Sequence, residues 1–479
     1  MNPTLQQNRE AWRALLQRAL PFADAASDAL PISRLIRLSL FQVSCGMALV
    51  LLSGTLNRVM IVELGVPAWQ VAFMVGLPLV FAPLRALIGH RSDHHRSAIG
   101  WRRVPYLWMG SMLQFGGLAI MPFALLLLSG DGNAPVWVAE ASAALAFLLT
   151  GAGLHMTQTA GLALATDIAP DEKRPQVVAL LYVTLLIGML LSALVVGLVL
   201  SDFTQLKLIG VIQGAAVVTV VLNCIALWKQ ESRQPGRNRK SERPPFAEAW
   251  QRYTEAAQGH RFLIAVLLGT AGFSMQDILL EPYGGEVLNL SVGSTTQLTA
   301  ILAAGSLAAF AIAAVQLKAG ARPTRVAAAG ILVGIIAFSA VIFAEPLQSA
   351  TLFRIGTGMI GFGSGLFGVS TLIMAMTMVE QEHRGLSLGA WGAAQATAAG
   401  IGIAVGGVLR DAVSTMAENG ALGLALTDTA VGYSTVYHVE IALLFIALVA
   451  LGPLGRRLER THVHGPGQSR NLGLMEFPT

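Results

Sequence analysis

Two carboxylates stand one helical turn apart inside an apolar part of the chain. Asp277 and Glu281 lie in the stretch FSMQDILLEPYGG, which directly follows the apolar run LIAVLLGTAG. A charged side chain near the centre of a membrane helix costs roughly 2.5–3.5 kcal/mol even on a lenient insertion scale. Ionisable residues in such positions are typical of ion pairs, proton relays and substrate contacts, so both are candidates for function.

Four further polar side chains lie in apolar runs of the same kind. Arg58 and Arg354 are placed near the outer ends of their runs, at a depth similar to that of the carboxylates, and His155 and Gln158 share another run. Two cations and two anions at one depth can neutralise one another, whereas each alone is costly. The pattern therefore predicts a charged and polar cavity cluster of Arg58, His155, Gln158, Asp277, Glu281 and Arg354.

A second interpretation of three of these charges stays open. An outer gate, or long side chains that reach from helix ends to the membrane surface, explains Arg58, Glu281 and Arg354 equally well. Asp277 is short and lies deeper in its run, which makes it the better candidate for a working role.

The elements that must position these residues are membrane-spanning helices. Of the 479 residues, 54% are hydrophobic and only 12% are charged, and the mean hydropathy is +0.62. Soluble proteins carry about 25% charged residues. Because a helix needs about 20 apolar residues to cross a bilayer, the sequence predicts twelve spans, near 38–62, 68–89, 104–129, 136–162, 175–200, 206–228, 261–282, 296–318, 325–345, 350–378, 385–408 and 432–454.

The basic residues are distributed unequally between the predicted loops. Twenty-seven of the 32 Lys and Arg residues lie in the two terminal segments and in the loops after the even-numbered spans. Since cytoplasmic loops are enriched in Lys and Arg, both termini are expected to face the cytoplasm. This topology signal accounts for the pI of about 9.5 without a nucleic-acid partner.

A polar segment separates the first six spans from the last six. It contains KQESRQPGRNRKSERPP, which has too few apolar residues to form a core. The sequence thus predicts five parts: a cytoplasmic N-terminal segment with an amphipathic helix (1–37), a six-helix half (38–228), a cytoplasmic linker (229–260), a second six-helix half (261–454) and a cytoplasmic tail (455–479).

Known chemistry-bearing motifs do not appear in the chain. There is no phosphate-binding GxxxxGK[ST] loop, which argues against ATP-driven transport. HExxH, CxxC and nucleophile-elbow patterns are also missing, and the two cysteines, Cys45 and Cys224, lack metal-ligand spacing. The sequence therefore predicts neither an enzyme nor a protein-ligated metal centre.

The loop after span two carries a motif of glycines, an aspartate and paired arginines. In GHRSDHHRSAIGWRR these are Gly89, Asp93, Gly100, Arg102 and Arg103. Together with the six-plus-six plan, the motif resembles that of the major facilitator superfamily, with a longer spacer. The resemblance implies an all-α membrane fold of twelve helices in which spans one, four, seven and ten line a central cavity. It also implies that the motif residues act in cytoplasmic gating rather than in substrate binding.

Span ten contains the glycine-rich stretch GTGMIGFGSGLFG. Gly361 and Gly365 form a small-xxx-small pair, which lets two membrane helices approach closely. Close helix packing is the favoured interpretation. A flat ligand or a lipid-like tail lying against the backbone is the alternative.

Three long strings point to a narrower resemblance. LNRVMIVELGVPA (56–68), GLHMTQTAGLALATDIAPDEKRPQVVALLYV (153–183) and QDILLEPYGG (276–285) are similar to the bacteriochlorophyll-delivery branch of the superfamily. These are the PucC and LhaA proteins of purple photosynthetic bacteria. The similarity extends over nearly the whole chain and does not separate the two subgroups.

The resemblance implies a function in pigment handling. It suggests an assembly factor for the light-harvesting complexes LH1 or LH2 in the intracytoplasmic membrane, with bacteriochlorophyll a as cargo. The implied partners are antenna polypeptides, the pigment, its synthesis enzymes and membrane lipid. On this basis His155 is a candidate axial ligand to the pigment magnesium, and Gly361 and Gly365 are candidate pigment contacts. The alternative is a proton-coupled secondary transporter of a small solute that works through Asp277 and Glu281.

Overall fold

The structure is a computed structural model of the full chain. It describes residues 31–80, 101, 103–130, 135–170, 173–231, 259–377, 384–423 and 425–462. All regular secondary structure in these ranges is helical, as the sequence predicts.

Each predicted span corresponds to one helix, and we number the helices α1 to α12 in chain order. They are Ile32–Glu63, Ala68–Val80, Val104–Leu128, Val136–Ile168, Arg174–Val199, Gln205–Leu227, Gly259–Glu286, Val292–Lys318, Pro323–Ala344, Ala350–Thr377, Arg384–Glu418 and Ala430–His462. Within the described ranges, eleven of the twelve are long and apolar enough to cross a membrane. The shorter one, α2, is described only as far as Val80, and the rest of its predicted span lies outside the described residues.

Several predicted boundaries shift. Helix α1 begins at Ile32, so residues 32–37 belong to it rather than to the N-terminal segment. Helix α11 continues to Glu418, so Arg410 lies in a helix and not in an outer loop. The last turns of α11 are polar, and an apolar-run criterion therefore ends the span too early. The amphipathic helix expected near the N-terminus, most of the linker and the end of the tail lie outside the described residues, and the division into two halves stays a prediction.

Small residues allow the helices to pack backbone to backbone. A Cβ added to Gly110 of α3 would lie 2.7 Å from the backbone nitrogen of Thr157 in α4, and one on Gly153 of α4 would lie 2.6 Å from the Gly110 oxygen. Since lipid is as apolar as leucine, such close van der Waals contact is a main source of helix association in membranes.

Two helices of the first six pack directly on two helices of the last six. Helix α2 packs on α11, where a Cβ on Gly407 would lie 2.9 Å from the Ala68 oxygen. Helix α5 packs on α8, where a Cβ on Gly293 would lie 2.8 Å from Ser201 Cα. The ends of these helices that the distribution of Lys and Arg predicts to face outward are thus in contact across the two sets.

Candidate functional site

Helix α1 changes its geometry on both sides of Arg58. Residues Leu51–Thr55 and Val59–Glu63 are π-helical, and the short segment Leu56–Arg58 between them is α-helical. π-helical turns are rare and occur frequently at functional sites. The irregular backbone therefore marks the outer half of α1 independently of its charge.

Helix α7 is broken at the position of the first carboxylate. The α-helical segment Gly259–Ser274 passes into a 3₁₀ turn at Met275–Ile278, and the α-helix resumes at Leu280–Glu286. Asp277 lies in the break and Glu281 in the first turn after it. Discontinuous helices at membrane depth occur where the backbone is buried in protein or lines a cavity.

Glu281 and Arg58 come together where α1 crosses α7. Glu281 is 3% exposed, and its Oε1 accepts a 2.6 Å hydrogen bond from Thr299 Oγ1 of α8. Its carboxylate fills the space that a side chain on Gly54 of α1 would need. One turn further along both helices, Arg58 lies against Gly285, where a Cβ would lie 2.8 Å from Arg58 Nε. Glycine on each helix thus makes room for a charged side chain on the other. The positive charge of Arg58 favours the ionised form of the Glu281 carboxylate.

The ion-pair partner of Arg58 is Glu63, a residue that the sequence pattern does not point to. Its Nη1 lies 2.7 Å from Glu63 Oε1, and its Nη2 donates a 3.4 Å hydrogen bond to the Leu290 oxygen. In an α-helix, residues five apart point about 140° away from each other. The π-helical turn brings residues i and i+5 onto one face, which is why the pair could not be predicted from α-helical spacing.

Asp277 shares its hydrogen-bond donor, Gln276, with another acid and forms no ion pair with a described arginine. The Nε2 of Gln276 donates a 2.6 Å hydrogen bond to Asp277 Oδ1, and the Gln276 backbone N–H donates a 2.7 Å bond to Glu440 Oε1 of α12. Among the described residues Asp277 makes no ion pair, so its expected neutralisation by Arg58 or Arg354 is wrong. A 3₁₀ turn advances about 120° per residue instead of about 100°, which takes Asp277 off the face of Glu281. Glu440 could have been found in the sequence, because it interrupts the apolar run of α12.

The other predicted cluster members lie apart. Arg354 is half-buried on α10 and forms no ion pair with any residue that the structure describes. His155 and Gln158 are half-buried on α4, which packs against α1, α2, α3 and α5. Of the six predicted cavity residues, Arg58 and Glu281 lie at the same crossing of α1 and α7, but the ion pair of Arg58 is with Glu63.

Gly361 and Gly365 are covered by α8. A Cβ on Gly361 would lie 2.8 Å from the Leu302 carbonyl carbon, and Ser306 Oγ donates a 3.0 Å hydrogen bond to the Gly361 oxygen. A Cβ on Gly365 would lie 2.8 Å from Ala309 Cβ. The structure therefore shows close helix packing at both glycines, and a macrocycle has no room against them.

This packing gives a matched pair of substitutions on one helix. We expect Gly361→Leu to push α10 away from α8 and to destabilise the protein by about 1–3 kcal/mol, the usual cost of overpacking. Gly368 is the control, because a Cβ there would meet no atom within 4 Å. The thermal unfolding midpoint in mild detergent should fall for Gly361→Leu and stay unchanged for Gly368→Leu; equal midpoints would contradict the packing.

One residue of the predicted gating motif is described. Arg103 Nε lies 2.9 Å from Asp167 Oδ2 at the inner end of α4, and the Arg103 backbone nitrogen donates a 3.0 Å hydrogen bond to Glu231 Oε2 after α6. Arg103 thus joins the inner ends of α3, α4 and α6. Gly89, Asp93, Gly100 and Arg102 lie outside the described residues, and the gating role stays a prediction.

A second charged group, which we call the outer cluster, consists of Trp69, Glu286, Arg410, Asp411 and Tyr433. Arg410 forms ion pairs with Glu286 of α7 and with Asp411, whose Oδ1 lies 2.8 Å from Arg410 Nη1. Tyr433 of α12 donates a 2.8 Å hydrogen bond to Glu286 Oε2. Asp411 Oδ2 accepts a 2.7 Å hydrogen bond from the backbone N–H of Trp69 at the start of α2. Asp411 of α11 therefore caps the start of α2, where a negative charge is stabilised.

Comparison with known proteins gives the family. The sequence model described as "PUCC protein" matches residues 55–458. A Rhodobacter capsulatus protein of the puhA-bchM intergenic region is 56% identical over 463 residues, covering 96% of this chain and 97% of that protein. Protein PucC of Rhodovulum sulfidophilum is 57% identical over 403 residues, covering 83% and 89%.

A solved structure identifies the fold. A bacterial homologue of the human lysosomal transporter Spinster, in an inward-facing and unoccupied conformation, superposes with a TM-score of 0.64 at 14% identity. The match covers 88% of this chain and 95% of that one. The predicted major facilitator fold is thus confirmed, and the match of the PUCC model to most of the sequence shows that the chain belongs to the PucC protein family.

Proposed function

We propose that this protein is an assembly factor for the bacterial light-harvesting complexes LH1 or LH2. In this role it delivers or holds bacteriochlorophyll a while antenna polypeptides insert and oligomerise. Membership of the PucC family, over nearly the whole chain, is the observation that carries the proposal. Antenna polypeptides and the enzymes that synthesise the pigment are the proposed partners.

We place the protein in the intracytoplasmic photosynthetic membrane with both termini on the cytoplasmic side. The long apolar helices support a multi-pass membrane protein. The excess of Lys and Arg at the termini and in the loops after even-numbered helices supports the orientation. Because the outer ends of the helices are in contact, pigment would enter from the bilayer or from the cytoplasmic side.

We propose His155 as the side chain that ligates the pigment magnesium. A neutral imidazole is a common metal ligand, and His155 is half-buried on α4, one of the helices that line the central cavity in this fold. The glycine face of α10 at Gly361 and Gly365 is filled by α8, which leaves His155 as the remaining pigment candidate from the sequence.

Purification in mild detergent, followed by an absorption spectrum and identification of associated subunits, tests the proposal. The wild-type protein should carry bacteriochlorophyll and antenna polypeptides, and His155→Leu should lower the pigment content per protein because the axial ligand is lost. His438→Leu is the matched control, since His438 is exposed on α12 and its Nδ1 contacts the Ser434 oxygen at 2.7 Å. A wild-type preparation without pigment or antenna subunits would contradict the function, and unchanged pigment in His155→Leu would remove only the ligand assignment.

The second candidate function is proton-coupled transport of a small solute. It is favoured by the buried acids of α7 and α12 and by the fold, which is shared with transporters. Purified protein that lacks pigment but takes up a solute together with protons would support it. We propose no enzymatic activity for either case.

A further inference from the structure

The break in α7 places Gln276 between carboxyl groups of two helices. Gln276 is 2% exposed. Its backbone N–H, which the 3₁₀ turn leaves out of the regular α-helical pattern, donates to Glu440 Oε1 of α12 at 2.7 Å. Its side-chain Nε2 donates to Asp277 Oδ1 at 2.6 Å. The two acids thereby accept hydrogen bonds from the same residue, and Asp277 acts electrostatically on Glu440.

Polar atoms around this bridge lack hydrogen-bond partners. Glu440 is completely buried, and its Oε2 has no partner among the described residues. The Oε1 of Gln276 and the hydroxyl of Tyr437 are likewise buried and unpartnered. A buried acceptor without a donor is costly. One additional proton on this group of atoms would supply a missing hydrogen-bond donor.

The position of Glu440 in the membrane adds to this cost. Glu440 is ten residues from the start of α12 at Ala430, or about 15 Å along the helix. The hydrocarbon core of a bilayer is about 30 Å thick, so Glu440 lies near its middle. An ionised carboxylate at this depth requires a cation or several donors.

The described side chains of the surrounding helices bring no cation to this site. The titratable groups that act on Glu440 and its neighbour Tyr437 are Asp277, Tyr283 and Tyr433. The ring of Tyr283 lies 5.5 Å from that of Tyr437. Helix α9 has no titratable residue over 326–344, and α11 has none over 385–409. Arg410 is the next residue of α11, and it is already paired with two carboxylates of the outer cluster.

We propose that Asp277 and Glu440 form a proton-binding site, in which the two carboxyl groups beside Gln276 hold one proton between them. Two nearby carboxylates cannot both be ionised at low cost, and one proton reduces the pair from two negative charges to one. When Glu440 Oε2 carries the proton, this oxygen is no longer an acceptor without a partner and can itself donate a hydrogen bond. The step forms one O–H bond with a proton from water and breaks no bond within the protein. It does not depend on which cargo the protein carries.

Infrared spectroscopy of the full-length protein in lipid nanodiscs tests the site directly. The wild-type spectrum should contain the carbonyl stretch of a protonated carboxylic acid, and this band should shift when H₂O is replaced by D₂O. Glu440→Gln should remove the band, because the amide keeps the shape of the protonated acid and its acceptor for the Gln276 N–H. Glu63→Gln is the control, since Glu63 is paired with Arg58 and should not contribute to the band.

A second variant covers the case in which Glu440→Gln fails to fold. Asp277→Asn removes the neighbouring acid, so the band of Glu440 should remain but change its frequency. The proposal is overturned if the wild type has no such band, if Glu440→Gln leaves it intact, or if Asp277→Asn leaves its frequency unchanged. Pigment that still co-purifies in any of these cases would leave the assembly function standing.

Discussion

Replacement of Arg58 by methionine should destabilise the protein by about 3–5 kcal/mol, the range for removing one partner of a buried ion pair. The Arg58 side chain is 5% exposed and pairs with Glu63, whose side chain is 37% exposed, and it is the cation nearest to the buried Glu281 at the α1–α7 crossing. Without the guanidinium, Glu281 keeps its hydrogen bond from Thr299 but stays buried without a cation. The methionine fills similar volume, so the loss reports the charge rather than a cavity.

The thermal unfolding midpoint and the folded yield in mild detergent measure this effect. The double variant Arg58→Met/Glu281→Gln should recover part of the loss, because no carboxylate then remains buried beside α1. Arg354→Met is the control: Arg354 is half-buried and has no ion pair among the described residues, so its replacement should cost less than about 1 kcal/mol. A midpoint for Arg58→Met equal to that of the wild type would show that the charge does not stabilise the α1–α7 contact.

The helices themselves could be predicted because their signal is local. A continuous apolar run of sufficient length has few alternatives to a membrane helix, and every predicted span has a helix at its position. The length of an apolar run does not predict the end of a helix that continues beyond the apolar region. The end of α11 shows this, since the helix continues to Glu418 through the charged residues Arg410 and Asp411.

The pairing of the charges could not be predicted because it depends on departures from the regular helix. The spacing of Asp277 and Glu281 suggested one shared face, but the 3₁₀ turn directs Asp277 toward α12. The π-helical turn after Arg58 makes Glu63 its partner. The π-helical turn has no proline within it. The break in α7 does have a signal in the sequence, because Pro282 lacks the N–H that would bond the oxygen of Ile278, the last residue of the 3₁₀ turn. The packing role of Gly361, in contrast, follows from residue size alone and was favoured from the sequence.

Replacement of Arg410 by methionine should have an effect of comparable size on the outer cluster. The side chains of Arg410, Glu286 and Asp411 are only 12%, 23% and 17% exposed, so the loss of the shared guanidinium leaves two carboxylates largely buried without a cation. We expect a destabilisation of about 3–5 kcal/mol, measured as the unfolding midpoint in detergent. Lys207→Met is the control, because its pair with Asp202 is 42% and 92% exposed and such pairs contribute about 0–1 kcal/mol.

The same substitution should also open the outer side. Arg410 pairs with Asp411, and Asp411 Oδ2 accepts from the backbone N–H of Trp69, so these contacts link α11 to α2. We expect the hydrogen bond to break when α2 and α11 separate. An N-terminal cap contributes about 0.5–2 kcal/mol, which corresponds to a roughly 2- to 30-fold change in the open population. Because Cys224 is an exposed free thiol, the experiment starts from Cys224→Ser. In that background a cysteine at Ala72, buried where α2 faces α11, should react faster with a membrane-impermeant thiol reagent added outside. If Arg410→Met lowers the midpoint without changing this rate, the outer cluster stabilises its own half and does not control closure.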